Sequence, residues 1–243
     1  MINFAHRGAS SDYPENTILA LKEGIKCGAK GLEIDVHKSK DNKLVVIHDE
    51  DIERTFLGKG LVKDFTLEEL KSFKNRKKLF RDNDECHIPT LEEVLDLIKD
   101  IDILLNIELK TDVIYYSGIE EDVINLIKSY GIEDKIIISS FNHESIKKVK
   151  DISNIRTGML YESPIINVIE YAKSLGAYAI HPDIRVVSEE LIKEAHKNNL
   201  KVNIFTVNNP MYMRLLIKNK VDGAFTDYPE LLNEILEENR WIK

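Results

Sequence analysis

Long apolar runs are missing from these 243 residues: no stretch approaches the roughly 18 consecutive apolar side chains that a membrane-spanning helix requires. The opening MINFAHRGAS has neither the apolar core nor the cleavage pattern of a secretory leader, so a cytoplasmic location and no membrane partner are expected. Cysteine is scarce as well. Cys27 and Cys86 stand singly, without metal-ligand spacing, and read as reduced structural thiols. Positive charge is in deficit, with 34 Lys and Arg against 42 Asp and Glu, a net charge of −8. That balance argues against nucleic-acid binding, which needs a basic face to neutralise phosphates. A small anionic substrate stays allowed, because a few cations in a cleft set the local field. Linkers, low-complexity tracts and internal repeat periods are absent too, so nothing divides residues 1–243 into separate domains.

What is present is an alternation. Short β-branched runs at 2–6, 31–36, 102–109, 135–140, 155–160, 177–181, 201–206 and 222–226 predict strands. Between them lie stretches with apolar residues at three- and four-residue steps, among them PENTILALKEGIKCG, TLEEVLDLIKD, GIEEDVINLIKSYG, SPIINVIEYAKSLG and SEELIKEAHKNN. Eight strands alternating with helices imply a parallel sheet, and in this length a closed (β/α)8 TIM barrel fits better than an open sheet. Residues 40–88 break the rhythm and read as a hairpin plus a small insertion after the second strand. Within it, 65–70 suit one short helix, and 71–78 are basic and polar. In a barrel the active site lies at the C-terminal strand ends, so each end is a place to look.

The stretch EIDVHKSKDNKLVVIHD, residues 33–49, reads as a hairpin with Asp41-Asn42 at the turn. That centre predicts cross-strand partners whose numbers sum to 83 and puts Ile34, Val36, Val45 and Ile47 on one face. Glu33, Asp35 and His48 then share the other face, with Asp35 and His48 roughly 5 Å apart. A polar outer face of an ordinary hairpin explains the same pattern equally well.

The first strand ends in His6-Arg7-Gly8, a sequence suited to gripping an anion. In the following PENT, Pro14 suits a first helical turn, while Glu15 and Asn16 either cap the helix or reach back to the barrel mouth. The third strand ends NIELK, with Asn106, Glu108 and Lys110 on one face. A carboxylate on an interior face needs a partner. Lys110 is one answer. The other is that Glu108 joins Glu33 and Asp35 as oxygen ligands of one divalent cation, Mg2+ or Ca2+, leaving Lys110 for a phosphate oxygen. Phe141 and Phe205 either wall the pocket or fill the core. His181 is ambiguous, and His37, His87, His143 and His196 read as surface or structural.

Taken in order, HRG, PENT, E-x-D, the His-Asp at 48–49, NIELK and DGAFTDYP resemble the glycerophosphodiester phosphodiesterase family, from residue 4 to about residue 229. The resemblance implies a (β/α)8 barrel that hydrolyses glycerophosphodiesters to sn-glycerol 3-phosphate and an alcohol with a divalent cation. By that similarity His6 and His48 match acid/base histidines, Glu33, Asp35 and Glu108 match metal ligands, and Arg7 and Lys110 match phosphate-contacting positions. The chain departs from the family at Phe205, where Trp is usual, and at the turn SKDN. A phosphatidylinositol phospholipase C or sphingomyelinase D of similar architecture ranks second, since no exposed apolar loop is evident. A non-catalytic phosphate-binding barrel ranks third. Neither the head group nor the oligomeric state is set by the sequence, and a homodimer stays open.

Overall fold

The computed structural model describes the backbone of residues 1–241 and side chains as far as Asn239. Nine strands form one sheet: β1 Ile2–His6, β2 Gly31–Lys38, β3 Leu44–Val46, β4 Leu104–Leu109, β5 Ile136–Ser140, β6 Arg156–Tyr161, β7 Ala179–Pro182, β8 Lys201–Ile204 and β9 Gly223–Thr226. All but β3 are parallel, and because β1 pairs with both β2 and β9 the eight close into a barrel. β3 is added antiparallel on β2. The helices are α1 Ile18–Lys26, α2 Leu67–Ser72, α3 Leu91–Ile98, α4 Ile119–Tyr130, α5 His143–Ile152, α6 Val168–Ser174, α7 Glu189–Lys197, α8 Pro210–Lys218 and α9 Pro229–Trp241, with α2 inside the insertion and α9 after the last strand. The expected (β/α)8 barrel is the fold. Among the described residues no helix is long and apolar enough to cross a membrane.

The two-residue strand period sorts the side chains. Ala5, Leu32, Ile34, Val36, Leu105, Ile107 and Leu109 point outward and pack with α1, α3 and α4 in one large cluster. Inside the barrel Phe4 stacks on Phe225 at 4.8 Å and packs with Ile137. Gly31 makes that possible, since a Cβ there would lie 2.2 Å from the Phe4 ring. The apolar plug fills one end of the barrel interior, and the inward positions nearer the C-terminal strand ends are left to polar groups. His181 belongs to this interior. It is fully buried, takes a hydrogen bond from Asn203 Nδ2 at Nε2, and burial pushes it down to about 3, so it is a neutral packing residue.

Two local expectations are corrected. The hairpin partners are Val36–Val46, His37–Val45 and Lys38–Leu44, numbers summing to 82. The loop has three residues instead of two: Ser39 N–H donates to Lys43 O, and Asn42 takes a left-handed φ of 58° that completes the longer turn. The one-residue slip splits the apolar set. Val46 joins Ile34 and Val36 in the outer layer, while Val45 and Ile47 enter a second core with Ile52, Phe56, Val62, Leu70 and Ile88 of the insertion. The other correction concerns PENT. The first helix starts at Thr17, whose hydroxyl accepts from Ala20 N–H, and the left-handed φ of 54° at Asn16 keeps Pro14 out of it.

Candidate active site

Strand register brings the acidic residues together. Glu33 lies beside His6 across the β1–β2 pair, and Asp35 lies beside Glu108 across β2–β4. All three carboxylates point into the barrel, are buried, and place one oxygen each within 4.8 Å of one another. Like charges confined this way do not all ionise freely. Burial, together with the Asp35 and Glu108 carboxylates, raises the Glu33 carboxyl well above its ordinary range, and burial with Asp35 raises Glu108. Burial also works against an ionised Asp35, but Arg7, His48, Lys110 and a hydrogen bond from Asn16 outweigh it and hold the group down at about 2.

The cations come from the predicted positions. Arg7 N–H donates to Glu33 Oε2 at 2.9 Å, its Nη1 donates to Glu15 at 3.1 Å, and its Nε sits 3.4 Å from Asp35 Oδ2. A left-handed φ of 57° at Arg7 lets the chain turn back over the mouth. Lys110 Nζ donates to Glu108 Oε1 at 2.8 Å. Both residues of PENT left open in the sequence reach the mouth. Asn16 Nδ2 donates to Asp35 Oδ2 at 2.8 Å, and Glu15 accepts from Arg7 and from Arg54.

One observation tests whether a cation fits. Asp35 Oδ1 is buried without any hydrogen-bond partner, while Oδ2 of the same carboxylate accepts from Asn16 Nδ2 and lies 3.4 Å from Arg7 Nε. An orphaned carboxylate oxygen facing two further carboxylates is an all-oxygen donor set for a hard divalent ion. The set fits such an ion and lacks the nitrogen and sulfur that zinc prefers.

The two histidines are held in the same way. His6 Nδ1 lies 2.6 Å from Asp227 Oδ1, and its Nε2 faces the carboxylates, 3.9 Å from Glu33 Oε2. His48 Nδ1 lies 2.6 Å from Asp49 Oδ1. In each ring a carboxylate takes Nδ1 and fixes the tautomer, so Nε2 is the nitrogen presented to a ligand. Burial is the main influence lowering the His6 pKa, and Arg7 adds to it against the pull of Asp227. His48 sits on the loop after β3, beyond the ladder. That loop is pinned by buried His37, whose Nε2 donates to His48 O at 3.1 Å while its Nδ1 accepts from Tyr116.

Three partners were not singled out from the sequence. Asp227 stands in the closing FTDYP, 221 positions from His6, and also receives Ser10 Oγ and Asn208 Nδ2. Its only signal was its place at a strand end. Asp49 directly follows His48, and the His-Asp pairing was visible without its role. Arg54 had no signal. It lies in the insertion, donates from Nε and Nη2 to Asp49 and from Nη1 and Nη2 to Glu15, and so links the His48 support to the Arg7 support. Arg54→Met is expected to lower turnover between about tenfold and a hundredfold through misplacement of His48, with Arg54→Lys recovering part of it. Steady-state kinetics with circular dichroism checks this, and a Met variant with normal turnover refutes it.

Phe141 and Phe205 stand edge to face at 5.7 Å at the mouth, half-buried. Beside them an open cavity of about 520 Å³ is walled by His48, Lys110, Asp112, Phe141 and Leu160. Phe205 does not line it.

Many known proteins resemble this chain in sequence or fold. A family model described as the glycerophosphoryl diester phosphodiesterase family matches residues 6–231. A glycerophosphodiester phosphodiesterase of Caldanaerobacter subterraneus subsp. tengcongensis is 44% identical over 94% of this chain and 94% of its own length. One of Bacillus altitudinis is 39% identical over 97% of this chain and 98% of its own. A phosphodiesterase of Oleispira antarctica, solved in complex with the product sn-glycerol-3-phosphate, superposes with a TM-score of 0.86 at 28% identity, covering 96% of each chain.

Proposed function

The chain belongs to the glycerophosphoryl diester phosphodiesterase family, and from that membership we propose that it hydrolyses soluble glycerophosphodiesters, such as glycerophosphocholine or glycerophosphoethanolamine, to sn-glycerol 3-phosphate and an alcohol. The observation that carries this reading is one buried cluster of three carboxylates at a mouth that also holds two imidazoles, each ring oriented through Nδ1 by its own aspartate. A mere phosphate binder has no use for two histidines oriented in this way. Residues 1–243 act as one catalytic unit, with the insertion contributing Arg54.

In this reading Glu33, Asp35 and Glu108 hold one divalent cation, Mg2+ or Ca2+. When bound it supplies Lewis-acid polarisation of a phosphoryl oxygen. Arg7 and Lys110 neutralise nonbridging phosphate oxygens in the low-dielectric mouth, where fixed cations are worth more than in water. Of the two rings, one Nε2 accepts the proton of the attacking hydroxyl and the other returns a proton to the leaving alkoxide. Asp227 and Asp49 hold the rings in the tautomer this needs and stabilise whichever becomes imidazolium. Glu15 and Asn16 act on substrate through Arg7 and Asp35. Phe141 forms the apolar side of the mouth against which the alcohol or glycerol carbons rest, with Phe205 edge to face against it.

The test is release of sn-glycerol 3-phosphate from a panel of glycerophosphodiesters with Mg2+, with Ca2+ and with chelator. Turnover with at least one cation, abolished by chelation, is expected. Tight binding of glycerophosphocholine without turnover, cation present, overturns the reading in favour of a binding protein.

A further inference from the structure

The absence of an apolar loop expected from the sequence does not hold in the folded chain. Among the described residues the five most exposed large apolar side chains are Ile166 at 89%, Leu79 at 87%, Tyr115 and Met211 at 76% and Val113 at 69%, and the next, Tyr212, falls to 49%. Val113, Tyr115, Ile166 and Met211 follow barrel strands and so lie on the C-terminal side, and the segment of Leu79 is tied to the β1–α1 connection on that side through Lys77 and Tyr13. Leu79 is in the insertion after β3, Val113 and Tyr115 lie between β4 and α4, Ile166 lies between β6 and α6, and Met211 is in the first turn of α8. Tyr212 and Tyr228, about half exposed, belong to the same side. Scattered apolar residues on a surface mean little, but their concentration around one mouth marks a surface that meets another apolar phase.

Charge identifies the phase. Leu79 stands within NRKKLFR, residues 75–81, a basic segment in a chain whose net charge is −8. Arg76 donates to Phe56 O, Lys77 to Tyr13 O and Arg81 to Asn75 O, so these contacts leave their positive charge uncompensated. Among the described residues no carboxylate pairs with a cation of this stretch, whereas Lys74 just before it is held by Asp82. The segment is anchored, since Phe80 packs on Tyr13 with ring centres 5.8 Å apart. The short 3-10 turn Lys78–Phe80 thus turns Phe80 inward and Leu79 outward between its cations. Apolar tips among unpaired cations are the recognition chemistry of an anionic lipid surface. A two-fold contact centred on Leu79 would instead set these cations against their own copies.

We propose that the rim of the barrel mouth docks on anionic lipid bilayers, with Leu79, Val113, Tyr115, Ile166 and Met211 entering the interface and Arg76, Lys77, Lys78 and Arg81 facing the head groups. The site then opens toward the lipid surface. This reading is independent of the proposed chemistry, because binding is read without turnover.

The experiment is co-sedimentation of the full chain with vesicles of pure phosphatidylcholine and of equal parts phosphatidylcholine and phosphatidylglycerol. The protein is expected to pellet with the anionic vesicles, to be released by salt, and to stay in solution with the neutral ones. Lys77→Glu with Lys78→Glu is expected to weaken binding at least about 25-fold, at about fivefold for each cation lost. Leu79→Glu with Ile166→Glu is expected to abolish pelleting. Both double variants keep wild-type circular dichroism and wild-type hydrolysis of soluble glycerophosphocholine. Wild-type protein that stays in the supernatant with anionic vesicles overturns the proposal, as does pelleting that survives either double variant. A wild-type dimer in light scattering that Leu79→Glu with Ile166→Glu converts to monomer assigns the rim to a second copy and overturns it equally.

Discussion

His48→Ala lowers turnover of glycerophosphocholine by about 10²–10⁴-fold without unfolding the protein, and His6→Ala does the same. Each ring is the proposed carrier of one proton transfer, and neither can stand in for the other because each is held through Nδ1 by its own aspartate on a separate segment. The fold survives for reasons that differ between the two. His48 is on a loop pinned by His37, and Asp49 keeps Arg54 as its partner when the ring is gone. His6 is more enclosed, but Asp227 keeps the hydrogen bonds from Ser10 and Asn208 and is not stranded. Single-turnover and steady-state rates, with a thermal melt of each variant, decide the matter. A variant that melts normally and turns over normally removes its histidine from the mechanism. Asp227→Asn and Asp49→Asn are expected to fall between wild type and these variants, since they disturb orientation and leave the ring in place.

Glu33→Gln is expected to raise the stability of the cation-free protein while removing most of its activity. Burial and the two neighbouring carboxylates raise the Glu33 pKa above its value in the unfolded chain. For an acid shifted upward, the folded state binds more protons than the unfolded state between the two values, so stability falls as pH rises through that window. The window opens just above the ordinary glutamate range and extends upward to the raised folded value. Glutamine removes the titration and keeps an oxygen for the Arg7 N–H. Each unit of displacement relieved is worth about 1.4 kcal/mol, and each kcal/mol moves the melting temperature of a chain this size by about 2–4 °C. In chelator the variant should therefore melt above wild type at pH 8, with the gap closing toward pH 4.5. With Mg2+ or Ca2+ the order should reverse, because wild type gains the ligand's binding energy and the variant gains less. Melts at both pH values, with and without cation, test this. A variant less stable than wild type in chelator at pH 8, or stabilised by cation just as strongly, refutes it.

These opposed effects express one trade. A barrel interior that packs Phe4, Ile137 and Phe225 at one end confines three carboxylates near the other, at a cost in stability that serves the chemistry. The positive φ at Arg7 and Asn16 belongs to the same trade, since both residues hold strained backbone to bring their side chains over the mouth.

The sequence by itself determined the barrel and most of the convergent residues. Strand alternation has a period of two, so Glu33 with Asp35 and Glu108 with Lys110 had to share faces. The eightfold strand–helix rhythm required those faces to meet at one end of a closed sheet. His6, Arg7 and Lys110 follow from the same logic, because each stands at or just after a strand end, whereas PENT left Glu15 and Asn16 open between capping and the mouth. Only the tertiary structure decided how these groups are held. The hairpin register depended on whether the loop had two residues or three, which SKDN does not settle, and the slip sent Val45 and Ile47 into the insertion core. Asp227, Asn208 and Arg54 reach the site from remote parts of the chain, and their partners are fixed by where closed strands and an irregular insertion come to rest. The apolar rim was hidden for the same reason: burial of a loop residue is set by what packs on it, and a one-dimensional pattern carries no record of that.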